Sequence, residues 1–234
     1  MRLYFASDVH GSNHCWLKFL AAARFYEADA IVTAGDITGK VVVPIIREED
    51  GTTWANFLGL GREPKNEAEL ERLVKQIDDT GYYAVHMTAA EYAEHAEDPA
   101  KVAALFKPLV LERVERWIAL AHERLADQPD VRCIVNAGND DFFEIDDLLD
   151  ASDRIEHPEG RVVELDGLEL IGIGFANQTP WQCPRDIAEA DLRAHIDEPL
   201  ARSATWSARS SASTSRPSTP SSEMPQSSIR SCAW

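Results

Sequence analysis

The chain has 234 residues, of which 44% are hydrophobic and 27% are charged, enough for one globular α/β domain carrying an insertion. Its formal net charge of −17 repels phosphate backbones, so we expect no non-specific nucleic-acid binding. The four cysteines are far apart without a CxxC pair, and no apolar run reaches the ~20 residues of a membrane span. Composition therefore argues against a zinc knuckle, a disulfide framework and a transmembrane helix, and we expect a cytoplasmic protein.

The first predicted element is an apolar β-strand over residues 3–7, which ends on Asp8, His10 and a glycine turn. Asp8 and His10 are two positions apart, so on an extended backbone both side chains face the same side. Open α/β folds bind ligands where their strands end. We therefore interpret Asp8 and His10 as candidate metal ligands.

A β-α-β unit is predicted next, because an amphipathic helix over residues 13–26 leads into a second apolar strand over residues 30–34. That strand ends on the segment Gly-Asp-Ile-Thr-Gly, which repeats the order of strand, carboxylate and glycine turn. Strands joined in this way are parallel neighbours. We thus expect Asp8 and Asp36 at the same edge of one sheet.

Residues 41–128 are predicted to form an excursion between two core strands. It opens with a β-hairpin over residues 41–58, which turns at an Asp-Gly pair. Pro44 lacks a backbone donor, which predicts an edge or bulged position for its strand. Helix-capping patterns at Asn66 and at Thr88 each predict the start of a helix. A longer helix is predicted over residues 99–126. Insertions of this kind often cover or shape an active site.

The core is predicted to return with a third strand over residues 131–136, which leads into Asn139 and Asp140. A hairpin over residues 162–173 and a helix over residues 184–197 follow it. The acidic run 146–150 is interpreted as a solvated face, and His157 as a surface or partly buried polar residue. The predicted strand over residues 131–136 is thus followed by polar side chains, as the first two strands are.

The composition changes from about residue 200, where Ser, Thr, Pro and Arg replace the acidic and apolar residues. Without apolar periodicity such a segment cannot bury a face. We therefore predict a folded domain over residues 1–199 and a disordered Ser/Arg/Pro-rich tail over residues 200–234.

Three blocks, Asp8-Val9-His10, Gly-Asp-Ile-Thr-Gly at 35–39 and Gly-Asn-Asp-Asp at 138–141, resemble the calcineurin-like metallophosphoesterase family. The pattern of that family is DxH, GDxxG, GNH[DE], a lone His and GHxH, and the first three blocks occur here in order. The resemblance implies an α/β fold in which a layered αββα sandwich of two sheets is flanked by helices, with a hairpin and helical insertion.

The resemblance also implies two divalent metal ions, of Mn, Fe, Zn or Mg. Asp8 and His10 would hold the first ion, Asp36 would bridge both, and Asn139 would offer its amide oxygen to the second. Two such ions can share a hydroxide that attacks phosphorus in line. The implied function is hydrolysis of a small phosphorylated substrate, a phosphomonoester or a phosphodiester, with Asn139 and Asp140 as the catalytic candidates.

The sequence departs from the family pattern in two places. Asp140 stands where most members have the histidine that protonates the leaving group, and a carboxyl with an ordinary pKa of about 3.9 is a poor acid at neutral pH. The lone His and the GHxH block have no match after the third block, which makes the C-terminal part incomplete. We hypothesise a shift of reading frame near Leu200 that replaces them with the tail.

Two alternatives stay open beside the phosphoesterase. The missing ligands favour a catalytically weakened or inactive interaction protein on the same fold. A nucleotide-binding α/β module is disfavoured, because no glycine-rich phosphate loop follows either of the first two strands. The sequence leaves the oligomeric state open.

Overall fold

Six helices and eleven strands form within residues 1–203, the part of the chain that the computed structural model describes. The strands are β1 Leu3–Ser7, β2 Ala30–Ala34, β3 Val42–Arg47, β4 Thr53–Phe57, β5 Leu60–Arg62, β6 Tyr83–Thr88, β7 Arg132–Asn136, β8 Val162–Leu165, β9 Leu168–Ile171, β10 Ala176–Asn177 and β11 Asp186–Ile187. The helices are α1 Asn13–Phe25, α2 Glu67–Thr80, α3 Ala89–Ala96, α4 Pro99–Arg124, α5 Glu144–Asp150 and α6 Glu189–Arg202. The predicted mixed α/β class is confirmed.

The central sheet is parallel and has the strand order β1-β2-β7. Its three strands end in register, because Ser7 lies opposite Ala34 and Ala34 lies opposite Asn136. The predicted β-α-β unit is therefore confirmed. The loops that follow Ser7, Ala34 and Asn136 therefore begin at the same edge of the sheet.

The two faces of the central sheet are covered differently. Helices α1, α4 and α5 pack on one face, where Trp16 of α1 stacks on Trp117 of α4 with ring centroids 4.7 Å apart. The β8–β9 hairpin packs on the other face, where Leu165 joins the buried side chains Val32 and Ile134. Alternate residues of β2 and β7 thus point into two different cores.

Residues between β2 and β7 build a second sheet, of order β5-β4-β3-β6. With α2 it encloses its own apolar core, formed by Val43, Ile45, Ala55, Phe57, Leu73 and Ile77. The hairpin β3–β4 was predicted, whereas β6 was not, because it pairs in parallel with β3 across a whole helix. Helix α4 belongs to the main core instead.

The prediction that Pro44 places its strand at an edge or at a bulge is wrong, because β3 lies inside the sheet and pairs with β6 in continuous register. Strand β3 pairs with β6 on one side and with β4 on the other. Pairing with β4 begins only at Ile45, so Pro44 lies where the strand has a partner on a single flank. The missing donor is accommodated there without an edge position.

The predicted helix starts in this region are confirmed. The Asn66 side chain accepts a hydrogen bond from the Glu69 amide at 3.0 Å and begins α2. Thr88 and Glu91 form a reciprocal capping box that begins α3. These helix starts could be predicted because each depends on a contact between residues three positions apart.

The predicted helix over residues 184–197 is shifted in the structure. Residues 186–187 pair with β10 as β11, and α6 begins only at Glu189 and continues through Arg202. The helix therefore includes residues 200–202, which the sequence assigned to the tail, and the Arg202 guanidinium donates to the Gly160 carbonyl at 2.6 Å. Residues 204–234, the rest of the predicted tail, lie outside the described residues. None of the helices in the described part is long and apolar enough to cross a membrane.

Candidate metal centre

Three of the predicted ligands meet at the carboxyl edge of the central sheet. Asp8 and His10 follow β1, and Asp36 follows β2. One potential ligand atom from each of the three side chains lies within 4.8 Å of the other two, and His10 Nε2 is 3.8 Å from Asp8 Oδ1. The structure thus brings together the side chains of the first two blocks.

The backbone of all three residues is left-handed, with φ of 56° at Asp8, 44° at His10 and 31° at Asp36. Non-glycine residues pay about 1–2 kcal/mol each for this conformation, although Asp and His tolerate it better than most. The two loops are held together while they adopt it, because the His10 amide donates to the Asp36 carbonyl at 3.0 Å. Such outliers concentrate at functional sites.

Asp141, the last residue of the third block, fixes the Asp36 loop from beneath. Its fully buried carboxylate accepts hydrogen bonds from the amides of Ile37, Thr38 and Gly138 at 2.9, 2.9 and 2.7 Å and from the Thr38 hydroxyl at 2.6 Å. Gly138 is required at its position because a Cβ there would collide with the Asp36 amide. The loops after β2 and β7 are therefore one rigid unit.

Asn139 and Asp140, the catalytic candidates, lie at the rim of this unit and have different partners. The Asn139 amide nitrogen donates to Asp186 Oδ1 at 2.9 Å, which orients the side chain. The Asp140 amide donates to Asp36 Oδ1 at 3.4 Å, and its carboxylate forms an ion pair with Lys40. The structure therefore brings Asp140 against Asp36 and ties Asn139 to the loop that contains Asp186.

The electrostatics of the site are those of crowded carboxylates. Burial raises the pKa of Asp36, and the neighbouring charges of Asp141 and Asp140 raise it further against the opposing hydrogen bond from the Asp140 amide. The hydrogen bond to Asp140 raises the pKa of Lys40. A cation placed among these groups would be stabilised by the same charges that disfavour ionisation of Asp36.

The Asp186 carboxylate accepts hydrogen bonds from Thr179 and Cys183 as well as from Asn139. Hydrogen bonds from Thr179, together with that from Asn139, lower the pKa of Asp186 to about 2 against the opposing effect of burial. The Cys183 amide also donates to this carboxylate, at 3.0 Å. The loop that carries Asp186 therefore positions Asn139 through an ionised carboxylate.

Two buried arginines that the sequence analysis missed support the site. Arg113 of α4 donates to the Gly11 carbonyl at 2.6 Å, directly after His10. Arg185 is fully buried and donates to the Asp141 carbonyl at 3.0 Å and to both carboxylate oxygens of Asp146. Each arginine fixes the backbone of a ligand-bearing loop from a distant part of the chain.

The interpretation of residues 146–150 as a solvated acidic face is wrong for Asp146, which is partly buried, whereas Asp150 is exposed as expected. Asp146 binds Arg185, and Asp150 Oδ1 lies 3.0 Å from His157 Nδ1 while its Oδ2 lies 2.9 Å from Arg161. The His157 side chain is only 2% exposed, more buried than expected. Asp146 is thus drawn toward the buried Arg185, while Asp150 is held at the surface by His157 and Arg161.

Lys40 and Asp141 had signals in the sequence that were not used. Lys40 directly follows the second block, and Asp141 is the last residue of the third, so both are delivered by the same strand ends. Arg113, Arg185 and Asp186 had no such signal, because their roles depend on contacts across at least 39 positions of the chain.

The residues present fit a divalent cation. Two carboxylates and one imidazole are a donor set that suits Mn, Fe and Zn. Ligand atoms around one such ion lie about 3–4 Å apart, so the observed group would have to contract only slightly. The side chains of Asp8 and His10 are 59% and 44% exposed, which leaves them free to adjust and open to a substrate.

Comparison of the chain with models of known protein families, with curated proteins and with solved structures finds no match. A function therefore has to be inferred from the side chains themselves.

Proposed function

We propose that this chain is a metal-dependent phosphoesterase with a fold of the calcineurin-like metallophosphoesterase type. The observation that carries the proposal is the convergence of Asp8, His10 and Asp36 within 4.8 Å at the ends of adjacent parallel strands. The blocks were identified by their order in the sequence, which does not by itself require that their side chains meet.

The layering of the domain supports the proposed fold. The central sheet has helices on one face and the β8–β9 hairpin on the other, as a sandwich of two sheets flanked by helices requires. The separate sheet and helices between β2 and β7 correspond to the expected insertion. Both features describe the fold only in outline, so the convergence of Asp8, His10 and Asp36 is the stronger support for the proposal.

Each side chain has a role in this function. Asp8, His10 and Asp36 would hold a divalent ion, which when bound supplies Lewis acidity and a nucleophile at neutral pH. Asp141 and Gly138 position Asp36 without touching the substrate. Asn139 is oriented by Asp186 toward the rim, where a phosphorylated substrate would enter.

Asp140 narrows the substrates that the proposed enzyme would hydrolyse well. Its carboxylate is held in an ion pair with the Lys40 ammonium, which makes it a poor proton donor to a leaving group. Substrates with good leaving groups suffer least from this, because they depart without a proton. We therefore propose activated phosphomonoesters or phosphodiesters as the best substrates.

The proposal is tested by metal binding and hydrolysis measured on the same preparation. The full chain, freed of metal and then given Mn²⁺, is expected to bind the ion and to hydrolyse bis(p-nitrophenyl) phosphate. Asp36→Ala should lose both properties, because it removes a carboxylate that the first ion needs. Asp130→Ala, which changes an exposed residue in the turn before β7, is the matched control and should keep both.

Two results would count against the proposal in different ways. Absence of Mn²⁺ binding by the unmodified chain would refute the metal centre and the enzyme together. Metal binding without hydrolysis would refute the enzyme and support the non-enzymatic interaction protein, which the pairing of Asp140 with Lys40 makes the second candidate.

A further inference from the structure

Lys40 lies between two of the carboxylates at the candidate metal centre. Its Nζ contacts Asp140 Oδ2 and is 3.9 Å from Asp36 Oδ2. The side chains of Asp36 and Asp140 are 18% and 20% exposed, whereas that of Lys40 is 54% exposed. The ammonium group therefore reaches inward from the surface and places a positive charge directly beside Asp36.

We propose that the Lys40 ammonium occupies the position of the second cation, so that this chain holds one divalent ion and one built-in charge. This inference rests on the proposed function and replaces the pair of ions that the family resemblance implies. It makes Lys40 a residue that determines metal stoichiometry.

The two oxygens of Asp36 give the first reason. Oδ1 accepts a hydrogen bond from the Asp140 amide, and Oδ2 faces Lys40. An ion bridged to the first one by Asp36 would have to share this carboxylate with the ammonium. Like charges repel strongly at such distances when the groups are half-buried.

The remaining donors give the second reason. Asn139 would offer one neutral amide oxygen, since its nitrogen is engaged with Asp186. A shared carboxylate and a neutral amide are few ligands with which to displace an ammonium held by Asp140. The second position thus has a resident cation and a weak competing donor set.

Charge balance gives the third reason. The carboxylates of Asp8, Asp36 and Asp140 are matched in charge by one divalent ion together with Lys40. The negative charge of Asp141 is already stabilised by the amides and the hydroxyl around it. A second divalent ion would therefore leave an excess of positive charge at the site.

The experiment counts ions and reads their coupling, so it does not depend on catalysis. The metal-free full chain is titrated with Mn²⁺, bound metal is measured by equilibrium dialysis, and the loaded protein is examined by electron paramagnetic resonance. We expect about one Mn²⁺ per chain with the spectrum of an isolated ion. Lys40→Met should bind about one further Mn²⁺ and give the spectrum of a spin-coupled pair.

Two variants control for charge and for surface effects. Lys40→Arg keeps a positive charge and should remain at the stoichiometry of the unmodified chain. Lys65→Met removes an exposed lysine that pairs with Glu63 at 3.1 Å, far from the ligands in sequence, and should also leave the stoichiometry unchanged. Circular dichroism of all variants verifies that the fold is retained.

The possible failures are distinguishable. Two Mn²⁺ ions in the unmodified chain, or no additional ion in Lys40→Met, would overturn the role of Lys40 and leave the proposed function standing. Absence of Mn²⁺ from every variant would overturn both.

Discussion

In the proposed phosphoesterase, Asp140 corresponds to the residue that is a histidine in most calcineurin-like metallophosphoesterases. In this chain it forms an ion pair with Lys40, and its amide donates to Asp36 Oδ1. A histidine there could supply a proton to a leaving group, whereas the ion-paired carboxylate cannot. On the proposed function, the identity of this one side chain would determine which leaving groups the site can process.

Replacement of Asp140 by histidine should increase hydrolysis of esters with poor leaving groups. We expect a gain of about 10- to 100-fold on alkyl phosphates, with little change on p-nitrophenyl esters, because general acid catalysis helps only the former. The measurement is the dependence of kcat/KM on leaving-group pKa, together with bound Mn²⁺, which should be retained.

Asp140→Asn serves as the matched control, because it removes the charge without providing an acid. It should not show the selective gain. An identical leaving-group dependence in the unmodified chain and Asp140→His would contradict the assignment of residue 140 to the leaving-group side.

The convergence of the three candidate ligands could be predicted from the sequence for a simple reason. Asp8, His10 and Asp36 directly follow apolar strands, and adjacent parallel strands end at one edge. Their left-handed backbone could not be predicted, because only the contacts between the two loops enforce it. Lys40 lies farther along the same loop, six residues after the end of β2, and no motif role in the family pattern falls on it.

Helix α4 shows how an element of the insertion supports the site. Its Trp117 stacks on Trp16 of α1, and its Arg113 guanidinium donates to the Gly11 carbonyl, Asp78 Oδ1 and the Tyr82 carbonyl. The helix therefore links the loop after β1 to the end of α2. Nothing in the local sequence predicted this link, because the partners of Arg113 are far apart along the chain.

Arg113→Lys should destabilise the domain by about 2 kcal/mol, because an ammonium cannot satisfy one buried and two partly buried acceptors that a planar guanidinium reaches together. Mn²⁺ affinity should fall as well, since the loop after His10 loses its anchor. Urea unfolding followed by circular dichroism measures the first effect, and calorimetric titration measures the second.

Arg116→Lys is the control for this prediction. Arg116 is half-exposed and lies 3.4 Å from the other oxygen of Asp78, so its replacement should change stability by no more than about 0.5 kcal/mol. Equal effects of the two substitutions would show that Arg113 has no special structural role.

The end of α5 provides a pH-dependent contact. Burial raises the pKa of Asp150, but hydrogen bonds from His157 and Arg161 outweigh it, so the pKa lies below its ordinary value. Folding thus favours the ionised carboxylate. The resulting stabilisation is present above the ordinary pKa of about 3.9 and is lost as the pH falls through the lower value of the folded state.

Asp150→Asn tests this contact through the pH dependence of stability. The unmodified chain should be more stable than the variant at about pH 5, and the difference should shrink toward about pH 2 as the carboxylate is protonated. Urea-unfolding midpoints measured across this range follow the change. A difference that is independent of pH would mean that ionisation of Asp150 does not contribute.

At the scale of the whole molecule, the order of the core elements could be predicted from the sequence, whereas the strand pairing outside the core could not. The order β1-α1-β2 and the return of the core at β7 followed from apolar periodicity. The four-stranded sheet did not, because β6 pairs with β3 across the whole of α2. The start of α6 was misplaced because residues 186–187 pair with β10, a contact that no local pattern shows.

The net charge gives the whole molecule a further constraint on its substrates. A formal charge of −17 repels phosphorylated compounds in general, so the proposed phosphoesterase would need local positive charge at the candidate centre. A divalent ion and Lys40 at the sheet edge would create such a region. The absence of non-specific nucleic-acid binding remains a prediction.

Anomalous diffraction from a crystal of the full chain soaked in Mn²⁺ would locate the proposed metal centre. We expect one anomalous peak, coordinated by Asp8, His10 and Asp36. No second peak should appear beside Asp36, where Lys40 Nζ lies. A well-diffracting Mn²⁺-soaked crystal without anomalous density among these three side chains would contradict the metal centre.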